Sequence, residues 1–322
     1  MSHILITSAG RRVSLVRAFI KELKEIDERS QVFVTDAAPK LSAAAQIAHK
    51  AFEICKIDND NYIDALYKIC LENKVEVIIP TLDTELTILS KNHEKFLAAN
   101  IKIVLSDEKL IKKCRNKLKT HKLFKKLGVG TAKIYSKIKY KLPLFIKPIN
   151  GSNSSNNFII KNKNQISKYQ LESNILHFFE YLDHDIYDEY TCDLYYNKTG
   201  ELKCAIPRKR IEIRAGEVSK GLTKKNEVKM FLDQNFSFLK GARGCITVQL
   251  FMHKETKDIK GIEINPRFGG GFPLSYLAGG NYPKWIIQEY ILNEDLNYFD
   301  DWKTDLLMLR YDDEILVNDY KG

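Results

Sequence analysis

The first hundred residues alternate short apolar runs with amphipathic helical patterns. An apolar run at residues 3–7 ends in a turn at residues 8–10, and apolar side chains then recur at helical spacing as far as residue 23. Further apolar runs at 32–34, 75–79 and 101–105 are separated by turn and helix patterns. Strands that alternate with helices form βαβ units, which build a mostly parallel sheet. We therefore predict a Rossmann-like α/β N-terminal domain over residues 1–108.

After about residue 107 the pattern changes. A basic helical stretch at 110–127 leads to a strand-like run at 144–148, and residues 151–157 are nearly all serine and asparagine, a composition typical of a loop. Four more strand-like runs follow, with a helical stretch at 224–238 between the second and third; they lie at 190–196, 204–214, 245–252 and 259–264. This arrangement predicts an α+β fold for the rest of the chain, and no internal repeat is visible.

Length and composition restrict the class of protein. A chain of 322 residues with 44% hydrophobic residues can form about two domains with substantial cores, which excludes disorder as the main state. No apolar run approaches the roughly 18 residues of a membrane helix, and no signal peptide is recognisable at the start. The six cysteines are widely scattered, and the seven histidines lack the spacing of a zinc site. We expect a cytoplasmic protein with reduced, mostly buried cysteines and no histidine-built metal site.

The net charge of +10 would suit an anionic partner, namely nucleic acid, a phosphorylated small molecule or an acidic surface. Charge alone does not choose among the three, and lysine-rich stretches such as 161–168 are also typical of a solvated face. No nucleic-acid-binding module is recognisable.

The most informative stretch is residues 261–271, which reads Gly-Ile-Glu-Ile-Asn-Pro-Arg-Phe-Gly-Gly-Gly. Alternate side chains of a strand share a face, so Glu263, Asn265 and Arg267 would project together if the strand continues to its end. Oxygen ligands beside a cation suit a hard metal that holds phosphate oxygens. Gln249 can supply another oxygen if its strand pairs antiparallel around a hairpin at 257–258. The alternative is a purely structural polar strand end.

Gln249 together with the run from Glu263 to Arg267 resembles the ATP-grasp superfamily, in particular the branch that includes one ATP-binding half of the carbamoyl phosphate synthetase large chain and related carboxylate–amine ligases. The resemblance covers nearly the whole chain. It implies a pre-ATP-grasp domain at 1–108, a linker helix and lid subdomain at 109–178, and an ATP-grasp catalytic core at 179–322.

The resemblance also implies roles for individual residues. Nucleotide-binding residues would be Lys117, Lys147, Ser152, Glu180, Tyr181, Leu182 and Glu189. Metal ligands would be Gln249, Glu263 and Asn265, and the catalytic residues would be Arg267, Arg214 and Lys220. Arg208, Arg210 and Gly270 would face substrate. The sequence departs from the family in two places: the lid loop at 150–156 has one glycine, and Gln249 is a neutral amide, so magnesium affinity without nucleotide should be weak.

The N-terminal turn lacks the three-glycine dinucleotide fingerprint, so we do not predict NAD binding. A helix N-terminus with Arg11 and Arg12 can nevertheless bind an anion, although both arginines could also be solvated. In ATP-grasp enzymes the acid lies between the N-terminal domain and the core, which implies a pocket opposite the glycine turn at 269–271. The residues expected to line it are Ser8, Gly10, Arg11, Thr81 and Asp83. Arg11 could hold a carboxylate or phosphate, and Asp83 an ammonium group.

The function that the resemblance implies is an ATP-dependent carboxylate–amine ligase, which forms an acyl phosphate and then an amide or peptide-like bond, with ATP and Mg²⁺ as cofactors. Its partners would be a small carboxylate and a small amine, without nucleic acid or membrane, and the chain could form a homodimer. The alternatives are ATP-dependent phosphorylation or carbamoyl-type activation of a small acid, and a non-catalytic ATP-binding subunit.

Overall fold

The computed structural model describes residues 2–149, 157–214 and 216–320. Within these ranges the strands form a five-stranded, a four-stranded and a seven-stranded sheet. Ser152 and most of the serine- and asparagine-rich segment lie outside the described residues. Among the described residues, every helix is too short or too polar to traverse a bilayer. All six cysteines are unpaired, and five of them are buried.

The first sheet is parallel throughout and has the strand order β3-β2-β1-β4-β5. Its strands are β1 (His3–Thr7), β2 (Val32–Asp36), β3 (Lys50–Glu53), β4 (Val75–Pro80) and β5 (Lys102–Ile103). The helices around it are α1 (Val13–Lys24), α2 (Ala43–Ile47), α3 (Tyr62–Glu72), α4 (Asp83–Lys91) and α5 (His93–Leu97). The strand order reverses between β1 and β4, so the carboxyl ends of these two strands form the crevice where open α/β sheets bind ligands.

Two helices connect this domain to the rest of the chain, α6 (Glu108–Cys114) and α7 (Lys117–Lys126). The sequence predicts one helical stretch here, but the helix is interrupted at Arg115–Asn116. The Asn116 side chain accepts a hydrogen bond from the backbone N–H of Lys119 at 3.0 Å, which caps α7 at its start. Lys117 thereby becomes the first residue of a helix.

The four-stranded sheet has the order β7-β10-β8-β9, and the three pairings between neighbours are antiparallel. Its elements are β7 (Ile134–Tyr135), β8 (Leu144–Pro148), β9 (Phe158–Ile160), α8 (Lys168–Glu172) and β10 (Leu176–Glu180). A small separate core with Leu144, Ile146 and Phe178 at its centre packs this sheet.

The seven-stranded sheet has the order β16-β13-β12-β11-β14-β15-β6. Its strands are β6 (Gly130–Thr131), β11 (Tyr187–Tyr196), β12 (Leu202–Arg214), β13 (Glu217–Thr223), β14 (Gly244–His253), β15 (Ile259–Asn265) and β16 (Leu307–Leu309). The accompanying helices are α9 (Glu227–Asn235), α10 (Phe272–Leu277) and α11 (Tyr282–Tyr290). The parallel N-terminal sheet followed by mixed and antiparallel sheets confirms the predicted fold class; the division at residues 108 and 178 stays a prediction.

The parallel domain and the seven-stranded sheet share one hydrophobic core, which joins buried residues of β1, β2 and α1 to α10 and α11. The rings of Phe19 and Phe268 meet edge to face with centroids 6.1 Å apart. At the rim of this contact Tyr276 donates a hydrogen bond to Glu22 at 2.7 Å. Because the two units are packed against each other, the ends of β1 and β4 lie at a defined position opposite the end of β15.

Candidate active site

A cavity of about 910 Å³ lies where the three sheets meet. It extends from the ends of β1 and β4, along the polar end of β15, to the end of β10. Strand β10 belongs to the four-stranded sheet, which we call the lid sheet after the lid predicted for this part of the sequence. Most of the residues predicted for the site line this cavity, although they come from positions spread over 260 residues of sequence. The shared core described above is what brings them together.

Strands β14 and β15 pair antiparallel, as the metal hypothesis requires, and Gln249 lies directly opposite Glu263. The pairing shifts between Gln249 and Leu250, so that β15 has one extra residue, Ile262. Such a bulge turns neighbouring side chains toward the same face. Ile262, Glu263 and Asn265 accordingly all line the cavity.

The polar end of β15 offers a hard-oxygen donor set with one carboxylate, Glu263, and two amides, Gln249 and Asn265. Among the described residues no group of three or more His, Cys, Asp or Glu could hold a metal ion. Two amides and one carboxylate fit Mg²⁺ that keeps several oxygens of a bound polyphosphate or water. The Gln249 amide also donates to Glu189, which accepts a hydrogen bond from Arg210 at 2.7 Å.

Arg267 follows β15 after Pro266, and its backbone N–H donates to the Asn265 carbonyl at 2.8 Å. The side chain reaches across to the N-terminal domain, where its Nη2 lies 2.5 Å from Oδ2 of Asp83. Its Nη1 donates to the Phe268 carbonyl at 3.1 Å, whereas its buried Nε has no hydrogen-bond partner among the described residues. Arg267, predicted to be catalytic, and Asp83, predicted to hold an ammonium group, are therefore bound to each other.

Lys117 at the start of α7 and Lys147 on β8 both line the cavity. Lys147 is only 7% exposed, and its ammonium group lies 4.8 Å from the ring centre of Phe179 and 5.8 Å from that of Phe145. Burial lowers the pKa of Lys147 to about 8, with Glu263 opposing the shift and Lys117 adding to it. Burial also lowers the pKa of Lys117. Both lysines lie within electrostatic range of Glu263, as a phosphate site next to a metal requires.

Glu180 is the last residue of β10, Tyr181 and Leu182 follow it, and all three line the cavity. The Glu180 carboxylate is already engaged, since it accepts hydrogen bonds from Lys260 at 2.8 Å and from the backbone of Lys133 at 3.0 Å. The backbone N–H of Glu180 donates to the Lys133 carbonyl at 2.8 Å. Glu189 also lines the cavity but is paired with Arg210.

Arg208 is almost completely buried and forms a two-bond ion pair with Asp193, at 2.8 and 3.0 Å. Asp193 also accepts hydrogen bonds from Thr247 at 3.2 Å and Ser275 at 2.7 Å. The Nη1 of Arg208 has no partner among the described residues. A Cβ atom at Gly271 would lie 2.1 Å from that nitrogen, so glycine is required for the turn to pass over the guanidinium group.

The N-terminal domain contributes Arg11, Arg12 and Asp83 to the cavity wall. The other three predicted substrate residues, Ser8, Gly10 and Thr81, lie behind that wall and shape it. The Thr81 hydroxyl donates to the carbonyls of Thr7 and Ser8, and the Ser8 hydroxyl donates to Glu85 at 3.2 Å. The backbone N–H of Gly10 donates to Asp36 at 3.1 Å.

Two predicted catalytic residues are not among the residues that line the cavity. Arg214 forms an exposed ion pair with Asp312, and Lys220 forms one with Glu212 at 2.7 Å. Their neighbours Ile213, Glu217 and Val218 on the same two strands do line the cavity. Gly270 does line the cavity, beside Glu217, which the sequence reasoning did not single out. The roles of all these residues stay predictions.

Two protein-family models match the chain. Residues 4–104 match the PylC-like N-terminal domain, and residues 173–312 match "ATP-grasp in the biosynthetic pathway with Ter operon". No curated protein matches the chain in sequence.

Solved structures of ATP-grasp enzymes superpose on almost the whole chain. Biotin carboxylase from Campylobacter jejuni, in a complex with beta-gamma-ATP, has a TM-score of 0.72 at 15% identity over 95% of this chain and 74% of that chain. The biotin carboxylase domain of 2-oxoglutarate carboxylase from Hydrogenobacter thermophilus, a dimer with MgADP, ADP and bicarbonate, has a TM-score of 0.71. The two chains are 16% identical over 95% of this chain and 73% of that chain. N5-carboxyaminoimidazole synthetase from Staphylococcus aureus, in a complex with ADP, has a TM-score of 0.68 at 16% identity over 92% of this chain and 78% of that chain.

At these identities the likeness to solved structures shows the fold alone, and the family models add the assignment by sequence. A PylC-like N-terminal domain is followed by a segment that matches an ATP-grasp family, in a fold shared with biotin carboxylase and N5-carboxyaminoimidazole synthetase. The resemblance inferred from Gln249 and the Glu263–Arg267 run is thus confirmed: residues 173–312 match an ATP-grasp family model, and the chain has the fold of biotin carboxylase and N5-carboxyaminoimidazole synthetase.

Proposed function

We propose that the protein is an ATP-dependent, ADP-forming ligase that joins a small carboxylate to a small amine through an acyl phosphate. The observation that carries this proposal is the convergence of Gln249, Glu263 and Asn265 with Lys117 and Lys147 on one cavity. Oxygen donors for a divalent cation and two ammonium groups for phosphates meet there. Phosphoryl transfer requires this positioning and neutralisation of charge more than covalent chemistry by the protein.

Glu263, Gln249 and Asn265 would hold Mg²⁺, which would neutralise charge on the phosphates of ATP when bound. Lys147 and Lys117 bind phosphate oxygens from the lid and from α7. Residues 180–182 receive the adenine, and Glu189 the ribose hydroxyls. The ring faces of Phe145 and Phe179 exclude water from the Lys147 ammonium group, which strengthens its attraction for phosphate.

The two chemical steps balance without a nucleophilic side chain. A carboxylate oxygen of the acid attacks the terminal phosphorus of ATP, and ADP leaves. The amine then attacks the acyl carbon, loses a proton, and phosphate leaves with the former carboxylate oxygen. Arg267, next to the metal ligands and oriented by Asp83, stabilises the charge on the transferred group.

The acid and the amine occupy the end of the cavity between the N-terminal domain and the glycine turn at 269–271. The related biotin carboxylase domain is described as a dimer, and we propose a homodimer for this chain as well. Gel filtration with light scattering tests the homodimer independently of the chemistry.

The test of function is an ADP-release screen over amino acids, uronic acids and nucleotide sugars, tried singly and in pairs. A productive acid is then prepared with ¹⁸O in its carboxylate, and the released inorganic phosphate is analysed by mass spectrometry. Transfer of one ¹⁸O atom to phosphate, only when acid and amine are both present, is the expected result.

Two outcomes would contradict the ligase. Formation of a stable phosphorylated acid without inorganic phosphate would indicate a kinase, and ATP binding without ADP release under any condition would indicate a non-catalytic subunit. Glu263→Gln should abolish turnover. Glu255→Gln, an exposed change in the hairpin between the same two strands, is the matched control and should leave turnover unchanged.

A further inference from the structure

Three arginines from distant parts of the sequence line the cavity beside the glycine turn at 269–271. They are Arg12, Arg208 and Arg267, which we call the arginine cluster. All three charges lower the pKa of the buried Cys245 thiol, an effect smaller than the rise caused by burial and by Asp193. All three guanidinium groups therefore lie within electrostatic range of one residue, Cys245, which is buried in the core and is not among the residues that line the cavity.

The carboxylates available to this cluster do not balance it. Arg208 is paired with Asp193 and Arg267 with Asp83, while Glu217 is paired with Arg310 at 2.8 Å. Among the residues that the structure describes, no carboxylate lies within ion-pair distance of Arg12. The one hydrogen bond described for its side chain is a long contact of 3.4 Å to the Thr81 carbonyl.

Burial and the charge of Arg267 lower the pKa of Arg12 to about 10, which agrees with a guanidinium group that has lost water without gaining a full partner. Two further donors in the cluster are unpartnered among the described residues, namely Nη1 of the buried Arg208 and Nε of Arg267. A buried donor without an acceptor costs free energy, and an anion in the cavity would supply the missing acceptors.

The helix that begins next to Arg12 adds to the same potential. Arg12 caps α1, a helix of 12 residues with no acidic residue in its first turn and no side-chain cap. The positive end of the helix dipole thus lies beside the guanidinium group instead of being neutralised by a carboxylate. A bound anion would be stabilised by both.

Two members of the cluster, Arg12 and Arg208, are not among the charges that act on the lysines facing the proposed metal ligands. Glu263 acts on both Lys147 and Lys117, whereas Arg267, Asp83 and Glu217 act on Arg12. Arg267 links the two sets, because its partner Asp83 lines a small pocket together with Lys117 and Glu263. ATP phosphates bound beside the lysines leave Arg12 and Arg208 without an anion.

We propose that Arg12 and Arg208 form a subsite for a second anionic group on the acid substrate, a carboxylate or a phosphate that is not itself activated. The acid is accordingly a dianion, such as a dicarboxylate or a phosphorylated carboxylic acid. This inference rests on the proposed ligase function and narrows its substrate class. Arg12, rather than the exposed Arg11, selects the substrate.

The test measures binding without turnover, by isothermal titration of the full chain in the presence of Mg²⁺ and ADP. The probes are succinate, 2-phosphoglycolate, inorganic phosphate and, as the monoanion, butyrate. The variants are Arg12→Gln, the charge-retaining Arg12→Lys, and Arg17→Gln, which removes an exposed arginine from the same helix.

We expect at least one dianion to bind wild type more tightly than butyrate. Arg12→Gln should lower the affinity for that dianion by about tenfold or more, because a charge-assisted hydrogen bond is lost. The affinities for butyrate and ADP should change by less than about twofold. Arg12→Lys should recover part of the affinity, and Arg17→Gln should behave as wild type. Preference for 2-phosphoglycolate over succinate would identify the second group as phosphate, and the reverse as carboxylate.

Equal dianion affinity in wild type and Arg12→Gln would overturn the proposal, and so would a wild type that prefers none of the dianions to butyrate. Neither result would contradict the proposed ligase function as long as ADP still binds. Failure of ADP to bind wild type would instead contradict the proposed function. Thermal melting of each variant shows whether a loss of binding comes from a loss of folding.

Discussion

Asp83 and Arg267 are 184 positions apart in the sequence, yet their side chains form an ion pair with Nη2 2.5 Å from Oδ2. The pair joins the first turn of α4 in the N-terminal domain to a residue just beyond β15, the strand proposed to bind the metal. The Asp83 carboxylate holds the Arg267 guanidinium group in place. The proposed role of Arg267 at the transferred phosphoryl group would therefore depend on a residue of the N-terminal domain.

This relationship predicts a specific kinetic effect of Asp83→Asn. The amide keeps the size of the side chain but loses the charge, so Arg267 is held less firmly, and kcat should fall by about tenfold while the Kd for ATP stays within about twofold. The measurement is ADP release and ATP titration for Asp83→Asn, Arg267→Lys and the double variant, since a coupled pair gives non-additive losses.

Asp107→Asn is the matched control for this cycle, because Asp107 forms an ion pair with Arg243 at 3.1 Å and does not line the cavity. It should leave kcat unchanged. Additive losses in the Asp83 and Arg267 cycle would show that the pair is not coupled in catalysis. A change in Asp83→Asn confined to the KM for the amine would support an ammonium-binding role instead.

A second prediction concerns the amide opposite Glu263. Gln249→Glu places two carboxylates directly across the pair of strands β14 and β15, and like charges in that position repel. Without metal the variant should melt at a lower temperature than wild type. Added Mg²⁺ should raise its Tm, whereas the Tm of wild type should respond little to Mg²⁺ in the absence of nucleotide. An identical response of both proteins to Mg²⁺ would contradict a metal site at this position.

A third prediction follows from the buried lysine of the lid sheet. The pKa of Lys147 is about 8 in the free protein, so the ammonium form that attracts phosphate is lost as the pH rises through 8. ATP binding above this pH must take up a proton, and affinity should fall by up to about tenfold per pH unit. Calorimetry between pH 7 and 9.5 in buffers of different ionisation enthalpy measures both the affinity and the proton uptake.

Lys147→Arg should bind ATP with little pH dependence, because arginine stays charged over this range. Lys147→Ala should weaken the binding of ATP much more than the binding of adenosine, since the proposed site brings this side chain to the phosphates. Equal weakening of both ligands would indicate a folding defect or a lysine outside the site.

A fourth prediction concerns stability. Asp193 is fully buried and accepts hydrogen bonds from Arg208, Thr247 and Ser275. Asp193→Ala leaves the Arg208 charge buried without compensation, so the free energy of unfolding should fall by about 3–5 kcal/mol. Ser275→Ala should cost about 1 kcal/mol. Urea denaturation measures both losses.

The exposed pair of Arg214 and Asp312 provides the comparison. Asp312→Ala should change the free energy of unfolding by less than about 1 kcal/mol, because the pair is solvated and screened. A loss as small as this for Asp193→Ala would mean that the buried pair contributes little to folding.

Much of the site could be predicted from the sequence because its key residues are local. Glu263 and Asn265 alternate along one strand, Arg267 follows two residues later, and the hairpin to Gln249 is short, so strand periodicity and antiparallel pairing nearly determine how they meet. The bulge at Ile262 could not be predicted, since it depends on how β15 bends to pack against its neighbours. The alternation of strands and helices likewise determined the parallel sheet and the crevice at its carboxyl ends.

The tertiary structure alone decided which residues from outside that hairpin reach the cavity. Arg11 and Arg12 both precede α1 and both line the cavity, but only the packing of α1 against the core places Arg12 within electrostatic range of Arg267 while Arg11 stays exposed. Arg214 and Lys220 have the residue types of a phosphate site, but their side chains pair with the exposed Asp312 and Glu212, and only their strand neighbours line the cavity. The pairing of Asp83 with Arg267 arises only when the shared hydrophobic core brings together two segments 184 positions apart, because no local pattern in either segment contains the other.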